Sequence, residues 1–371
     1  MIYHHYKTVL LLIFVQTTCF CCTEFRVIAK DKTVVIGRSM EWGQDLQSQV
    51  IVQPRGIERQ SLAPDGSMGL QWQSKHGIVY MDGYGLDKAL DGMNEKGLSA
   101  GLLFFPGFAE YQSVPLEKNA KALSHTLFVF WLLDNFETVE QVRKALPEIC
   151  VWGESIDIPL EKNVVLPVHY GVYDATGKGI VIEYTKDGLK IFDNEIGVLT
   201  NSPIYDWHLI NLRNYAGLTA APGKMTTIGS LAVPPIGLGM GLFGLPGDPT
   251  PPSRFIRTAT ALRLADTASN KQEAVNLTNH ILNMVDITLG LVIKDTGTAL
   301  VKDYTQWVVL KDLTNRDFYF RTYKNSTLRK IDLKKLDFNG QAKKHAYKVD
   351  DDVPSCIDIT EKLKDGFAKN S

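Results

Sequence analysis

The stretch Cys21-Cys22-Thr23-Glu24-Phe25 follows a short apolar run near the start of the chain and holds the first residues able to do chemistry. A cut before Cys22 would give that residue a free α-amine beside its own thiol. Such an amine is a built-in base of near-neutral pKa, about 7.7–8.0 when unperturbed. It can take the thiol proton, directly or through water, and later hand it to a leaving amine. Read locally, three fates stay open for Cys22: nucleophile, lipid-modified anchor, or a residue lost with a leader. A lipidation site usually follows a tight Leu-small-small run. Here Gln16-Thr17-Thr18 precedes Cys19, and Cys19-Phe20-Cys21 precedes Cys22.

The elements around this thiol are legible as strands. Residues 25–29 and 33–37 are β-prone runs split by the turn-like Lys30-Asp31-Lys32. A hairpin there brings Arg38 and Glu41 near Cys22, and a neighbouring cation favours thiolate. Residues 49–53 and 78–81 read as further strands, 91–97 as a turn, and 98–105 as a buried central strand. Residues 117–148 read as the first helical region, with an apolar stripe through Leu123, Leu127, Phe130 and Leu133. Strand character returns over 164–201. Residues 229–252 form a Gly- and Pro-rich loop, long enough to suggest a functional one. Ser253 is expected to cap a helix, residues 271–284 make another, and 305–310 and 317–323 close the chain as strands. No repeat or linker divides these elements, which predicts one domain of sheets flanked by helices.

Composition narrows the class. The 371 residues are 44% hydrophobic and 22% charged with a net charge of −1, ordinary values for a packed domain and without the basic excess that nucleic acid requires. Lys7, the apolar residues 8–15 and the polar small-residue stretch 16–21 have the form of a secretory signal, residues 1–21, removed before Cys22. That apolar run is too short to span a bilayer in the mature chain. The expected location is therefore periplasmic or secreted. Of the five cysteines, cleavage would leave Cys22, Cys150 and Cys356. In an oxidising compartment the last two either pair or stay free, and both alternatives stand. No Cys/His spacing resembles a metal site.

Four motifs in order give the chain a resemblance. Cys22-Thr23-Glu24-Phe25 with Gly37-Arg38-Ser39-Met40-Glu41-Trp42 is followed by Asn94-Glu95-Lys96-Gly97-Leu98 and Phe105-Pro106-Gly107. Then come Gly197-Val198-Leu199-Thr200-Asn201-Ser202-Pro203, and Gly244-Leu245-Pro246-Gly247-Asp248 with Ser253-Arg254-Phe255. The series resembles the choloylglycine hydrolase family of N-terminal-nucleophile hydrolases, which includes conjugated bile-salt hydrolases and penicillin V acylases. The Arg-Ser-Met-acid-Trp form resembles its Gram-negative branch.

The resemblance implies an α+β fold, a four-layer αββα sandwich with two antiparallel sheets between helix layers. It implies a catalytic domain over residues 22–350, followed by a tail over 351–371. It also implies amide hydrolysis through a thioester on Cys22, with no metal or organic cofactor, and a homotetramer. In that picture Arg38 lies beside the thiol and Arg254 faces the site. Glu41, where the family usually has aspartate, holds the amine. Asn201 and the Phe104 N–H hold the oxyanion. Trp42 and Phe104 form an aromatic acyl pocket, which fits penicillin V or N-acyl homoserine lactones better than conjugated bile salts. A rival from another class is an inactive, lipid-anchored binding protein on the same fold. A secreted cysteine protease is weaker, because no Cys…His…Asn signature is legible.

Overall fold

The chain opens as a hairpin. β1 (Cys22–Ile28) and β2 (Val34–Trp42) pair antiparallel, with Cys22 opposite Met40 and Glu24 opposite Arg38. The turn is closed by Asp31, whose carboxylate accepts from the Thr33 N–H at 2.9 Å, and by Lys32 at φ 69. Side chains alternate across a strand. Cys22, Glu24, Arg38 and Met40 therefore share one face, while Thr23, Phe25, Gly37 and Ser39 share the other. In this computed structural model residues 21–363 are described, apart from 160, 296, 298, 351 and 352. The expected signal, except Cys21, and residues 351, 352 and 364–371 of the expected tail lie outside the described residues.

The hairpin belongs to a seven-stranded sheet ordered Val198–Leu199, β1, β2, Leu300–Asp312, Asp317–Thr322 and Arg329–Asp332, with Val292–Asp295 paired to Leu300–Asp312. An eight-stranded sheet lies against it. Its order is Gly188–Asp193, Gly179–Thr185, Val168–Tyr173, Ser99–Phe104, Asp91–Asn94, Ile78–Met81, Gln49–Gln53 and His345–Lys348. Pairing in both sheets is antiparallel.

Helices cover the outer faces. α1 (Phe128–Asn135) and α2 (Val139–Ala145) pack on the eight-stranded sheet in one apolar cluster with Tyr80, Tyr170 and Ile182. α3 (Tyr205–Leu212), α4 (Pro251–Leu264) and α5 (Lys271–Asn283) belong to the other side, where Phe255, Ile256 and Leu282 join the core of β1 and β2. α5 lies so close to β2 that a Cβ on Gly37 would sit 2.6 Å from Thr278 Cγ2. The result is the αββα sandwich that the motifs implied.

Three local expectations are corrected. Asp91–Asn94 is an interior strand, not a turn; the turn is limited to Glu95–Gly97, with Asn94 Oδ1 accepting from Lys96 and Leu98. Helix does not begin near residue 117. Leu116–Lys121 is a 3-10 turn without a buried residue, and Ala122–Ser124 pairs parallel with Cys150–Trp152. Ser124 then caps a second 3-10 turn, so α-helix starts only at Phe128. Ser253 is not an N-cap: Pro251 and Pro252 occupy the first turn of α4, which suits residues lacking an N–H, and Thr250 takes the cap position. Cys150 and Cys356 are both free thiols, so the disulfide alternative falls away.

Candidate active site

The Cys22 side chain points from β1 into the space between the sheets and is almost wholly buried. Its backbone is held from the helical side. Cys22 N donates to Asn201 Oδ1 at 2.7 Å, and the same oxygen accepts from Arg254 Nη2 at 2.7 Å. Arg254 Nη1 also donates to Cys22 O and, at 2.6 Å, to Thr23 Oγ1. The α4 arginine thus grips the start of β1 and the asparagine together, which outweighs its unfavourable place near a helix N-terminus. Asn201 is fixed in turn: His208 Nε2 donates to its carbonyl at 2.9 Å, and its own Nδ2 donates to Phe104 O at 2.8 Å. Burial pushes His208 down to about 4, so the ring stays neutral. The amide nitrogen carries two hydrogens, and one remains for a ligand.

Arg38 approaches the thiol from β2, with Nη2 at 3.9 Å from Sγ. Its guanidinium also donates to Leu90 O at 3.0 Å and Leu102 O at 2.6 Å and pairs with Asp91 at 3.3 Å. Lys311 completes the cluster, 2.7 Å from Asp91 and 3.3 Å from Glu24, all of them inaccessible to solvent. The carboxylates fit because Gly101 and Gly171, cross-strand neighbours in the other sheet, leave a gap. A Cβ on Gly171 would lie 1.9 Å from Glu24 Oε2, and one on Gly101 2.4 Å from Asp91 Oδ2. Burial pushes the Cys22 thiol up, and Arg38 followed by Arg254 opposes it. Burial also pushes the Glu24 carboxyl up, and Lys311 opposes it.

Glu41 stands differently from expectation. Its Oε1 accepts from Thr305 Oγ1 at 2.7 Å, while Oε2 is buried without a partner among the described residues, and Cys22 N meets Asn201 rather than this carboxylate. The register shifts between Met40 and Glu41, where Gln306 is the extra residue in Leu300–Asp312, so Glu41 pairs with Thr305 of that strand. Burial raises Glu41 to about 7, with Arg254 pulling the other way.

A largely apolar cavity is lined by Cys22. Met40, Trp42, Leu102, Phe104 and Val168 line its near part. Trp42 and Phe104 meet edge to face at 5.9 Å, and Trp42 Nε1 is held by Tyr84 Oη. The expected pair of aromatic residues therefore does wall the pocket. Phe104 meets Asn201 through its carbonyl. Sequence reasoning missed Asp91, Lys311, Glu24 and Thr305. A lysine just past the apolar run Val308-Val309-Leu310 was the available signal for Lys311.

Comparison with known proteins agrees with this fold. The family model of linear amide C–N hydrolases, choloylglycine hydrolase family, matches residues 22–346. A bile salt hydrolase/transferase of Clostridium perfringens is 36% identical over 327 residues, 86% of this chain and 94% of that one. Among solved structures, a variant of conjugated bile acid hydrolase from Clostridium perfringens superposes with a TM-score of 0.75 at 32% identity, covering 88% of this chain and 97% of that one. Penicillin V acylase from Agrobacterium tumefaciens gives a TM-score of 0.70 at 25% identity, over 88% and 91%. The chain belongs to the choloylglycine hydrolase family of linear amide C–N hydrolases.

Proposed function

We propose that Cys22, once it is the N-terminal residue, is the nucleophile that cleaves the C–N bond of N-acyl amides. The observation that carries this is the convergence of Arg38, Asn201 and Arg254 on one cysteine at the mouth of an apolar cavity. The α-amine takes the thiol proton, and the thiolate attacks the amide carbonyl. The remaining Asn201 Nδ2 hydrogen meets the developing oxyanion. The C–N bond breaks as the Cys22 ammonium protonates the leaving amine. Water, deprotonated by the same amine, then hydrolyses the thioester to the acid. Arg38 favours the thiolate and Arg254 fixes the strand and Asn201. Glu41 acts through Thr305 and the charge near Arg254, without contact to the amine.

The apolar wall of Trp42 and Phe104 favours phenoxyacetyl or fatty-acyl groups, as in penicillin V and N-acyl homoserine lactones. Conjugated bile salts are the second reading, favoured by the 36% identity to a bile salt hydrolase/transferase. A panel of these three amides, with purified wild type and Cys22→Ala, tests both. Turnover is expected in wild type and lost in Cys22→Ala with unchanged circular dichroism; substantial activity in the variant would sink the mechanism.

The lipid-anchor rival is disfavoured by the burial of Cys22, whose sulfur lies between the sheets. Export of the chain is supported by residues 7–21. Intact-mass analysis of the mature protein should find a free Cys22 N-terminus. The family resemblance further suggests a homotetramer, which light scattering tests.

A further inference from the structure

Lys88, His125 and Thr126 bring polar side chains to the pocket's largely apolar wall, as does Tyr84, whose hydroxyl is committed, accepting from Trp42 Nε1 and donating to Gln44 Oε1 at 3.1 Å. Thr126 is committed, donating to Glu154 Oε2 at 2.9 Å. His125 is half committed: its Nδ1 accepts from the Glu154 N–H at 3.2 Å, which places the proton of the neutral ring on Nε2. Burial pushes His125 down to about 4, so the ring is neutral in ordinary buffers. That Nε2–H is buried and has no partner among the described residues. The ring is fixed by Tyr111, 4.6 Å away between centroids, and cannot turn outward cheaply. Lys88 is half-buried and, among the described residues, makes no hydrogen bond or ion pair; Glu154 and, more weakly, Asp87 are the acidic charges that act on it.

Unsatisfied donors in an apolar wall are costly unless a ligand satisfies them. We propose that this part of the pocket is a recognition site for an uncharged acceptor oxygen, a hydroxyl, ketone or ether, carried by the hydrocarbon of the acyl group. His125 Nε2–H is its main donor and Lys88 its second. The oxygen is uncharged because Glu154 and Asp87 already offset Lys88. The acyl group is otherwise hydrocarbon, because Leu86, Ile156 and Leu166 line the same cavity. This inference rests on the acyl-pocket reading of the cavity and adds a specificity element to it.

The test compares N-acylglycines from hexanoyl to dodecanoyl, each with and without a terminal hydroxyl, on wild type, His125→Phe and Lys88→Met. At one chain length the hydroxylated acyl group should be favoured in kcat/KM by about tenfold or more. His125→Phe should bring that ratio close to one, and Lys88→Met should reduce it. Binding of the matching free acids to Cys22→Ala protein, followed by calorimetry, reads the same preference without turnover. Absence of any preference in both readouts, or a preference that survives both substitutions, overturns the proposal. If no amide is cleaved but the hydroxy acid binds more tightly, the hydrolase reading fails and the site stands.

Discussion

Replacing Arg38 by methionine is the most direct probe of how this site makes a thiolate. At 3.9 Å from Sγ, a full charge acting through an effective dielectric near 20 is worth about 4 kcal/mol. Asp91, 3.3 Å from the same guanidinium, cancels part of that field. Taking roughly half as the net effect leaves about 2 kcal/mol, or about 1.5 pH units on the thiol. The assay is the pH dependence of Cys22 alkylation by iodoacetamide, read as the mass of the Cys22 peptide so that Cys150 and Cys356 do not interfere. The midpoint should move up by about that amount in Arg38→Met, with kcat/KM at neutral pH down about 30-fold. Arg38→Lys, which keeps the charge, should move it less. A midpoint that stays put or falls in Arg38→Met would refute the assignment of thiolate stabilisation to this arginine.

Three other substitutions follow from the same geometry. Asn201→Ala removes the acceptor for Cys22 N and the amide hydrogen left for the oxyanion, so kcat should fall by about 10²–10³ while the fold persists in circular dichroism. The folded chain keeps the Glu41 proton up to about pH 7, whereas an ordinary glutamate loses it near 4.5. Wild-type stability should therefore decline as pH rises through that window, by about 3 kcal/mol, and level off above it. Glu41→Gln abolishes this titration, so its advantage in thermal melts should grow from acid to neutral pH; a constant difference would contradict the burial argument. Gly171→Ala puts a methyl 1.9 Å from Glu24 Oε2 and should cost about 1–3 kcal/mol in chemical denaturation, with relief when Glu24 is shortened in Glu24→Ala.

The hairpin that carries Cys22, Arg38 and Glu41 was legible because β-branched runs flank a polar turn, a local signal that tertiary packing did not override. The family motifs located Asn201 and Arg254, yet spacing could not reveal that both hold the backbone of Cys22. Their contacts span sequence separations of 179 and 232 residues. Glu41 was placed beside Cys22 correctly along the strand but given the wrong partner. The bulge at Gln306 leaves no mark in residue type. Asp91 was hidden in a stretch whose glycine and asparagine read as a turn. Residues 117–127 mislead for a related reason: an apolar stripe constrains which side is buried, and a 3-10 turn or short strand satisfies it as well as a helix.

The paired glycines beneath Glu24 and Asp91 have a consequence for how the halves of the sandwich find each other. Apolar layers can slide past one another at modest cost, whereas Lys311 and Arg38 on one sheet meet Asp91, the matching carboxylate on the other, in only one alignment. A slip by a single residue pair would strand a buried ammonium or carboxylate, a penalty of about 3–5 kcal/mol. The cluster thus acts as an alignment key, and Gly101 and Gly171 are the slot it fits. Because Arg38 belongs to the key and also touches the thiol, the 3.9 Å between them is inherited from the docking of two sheets. Drift in either glycine would therefore appear first as altered thiol chemistry, before any loss of secondary structure.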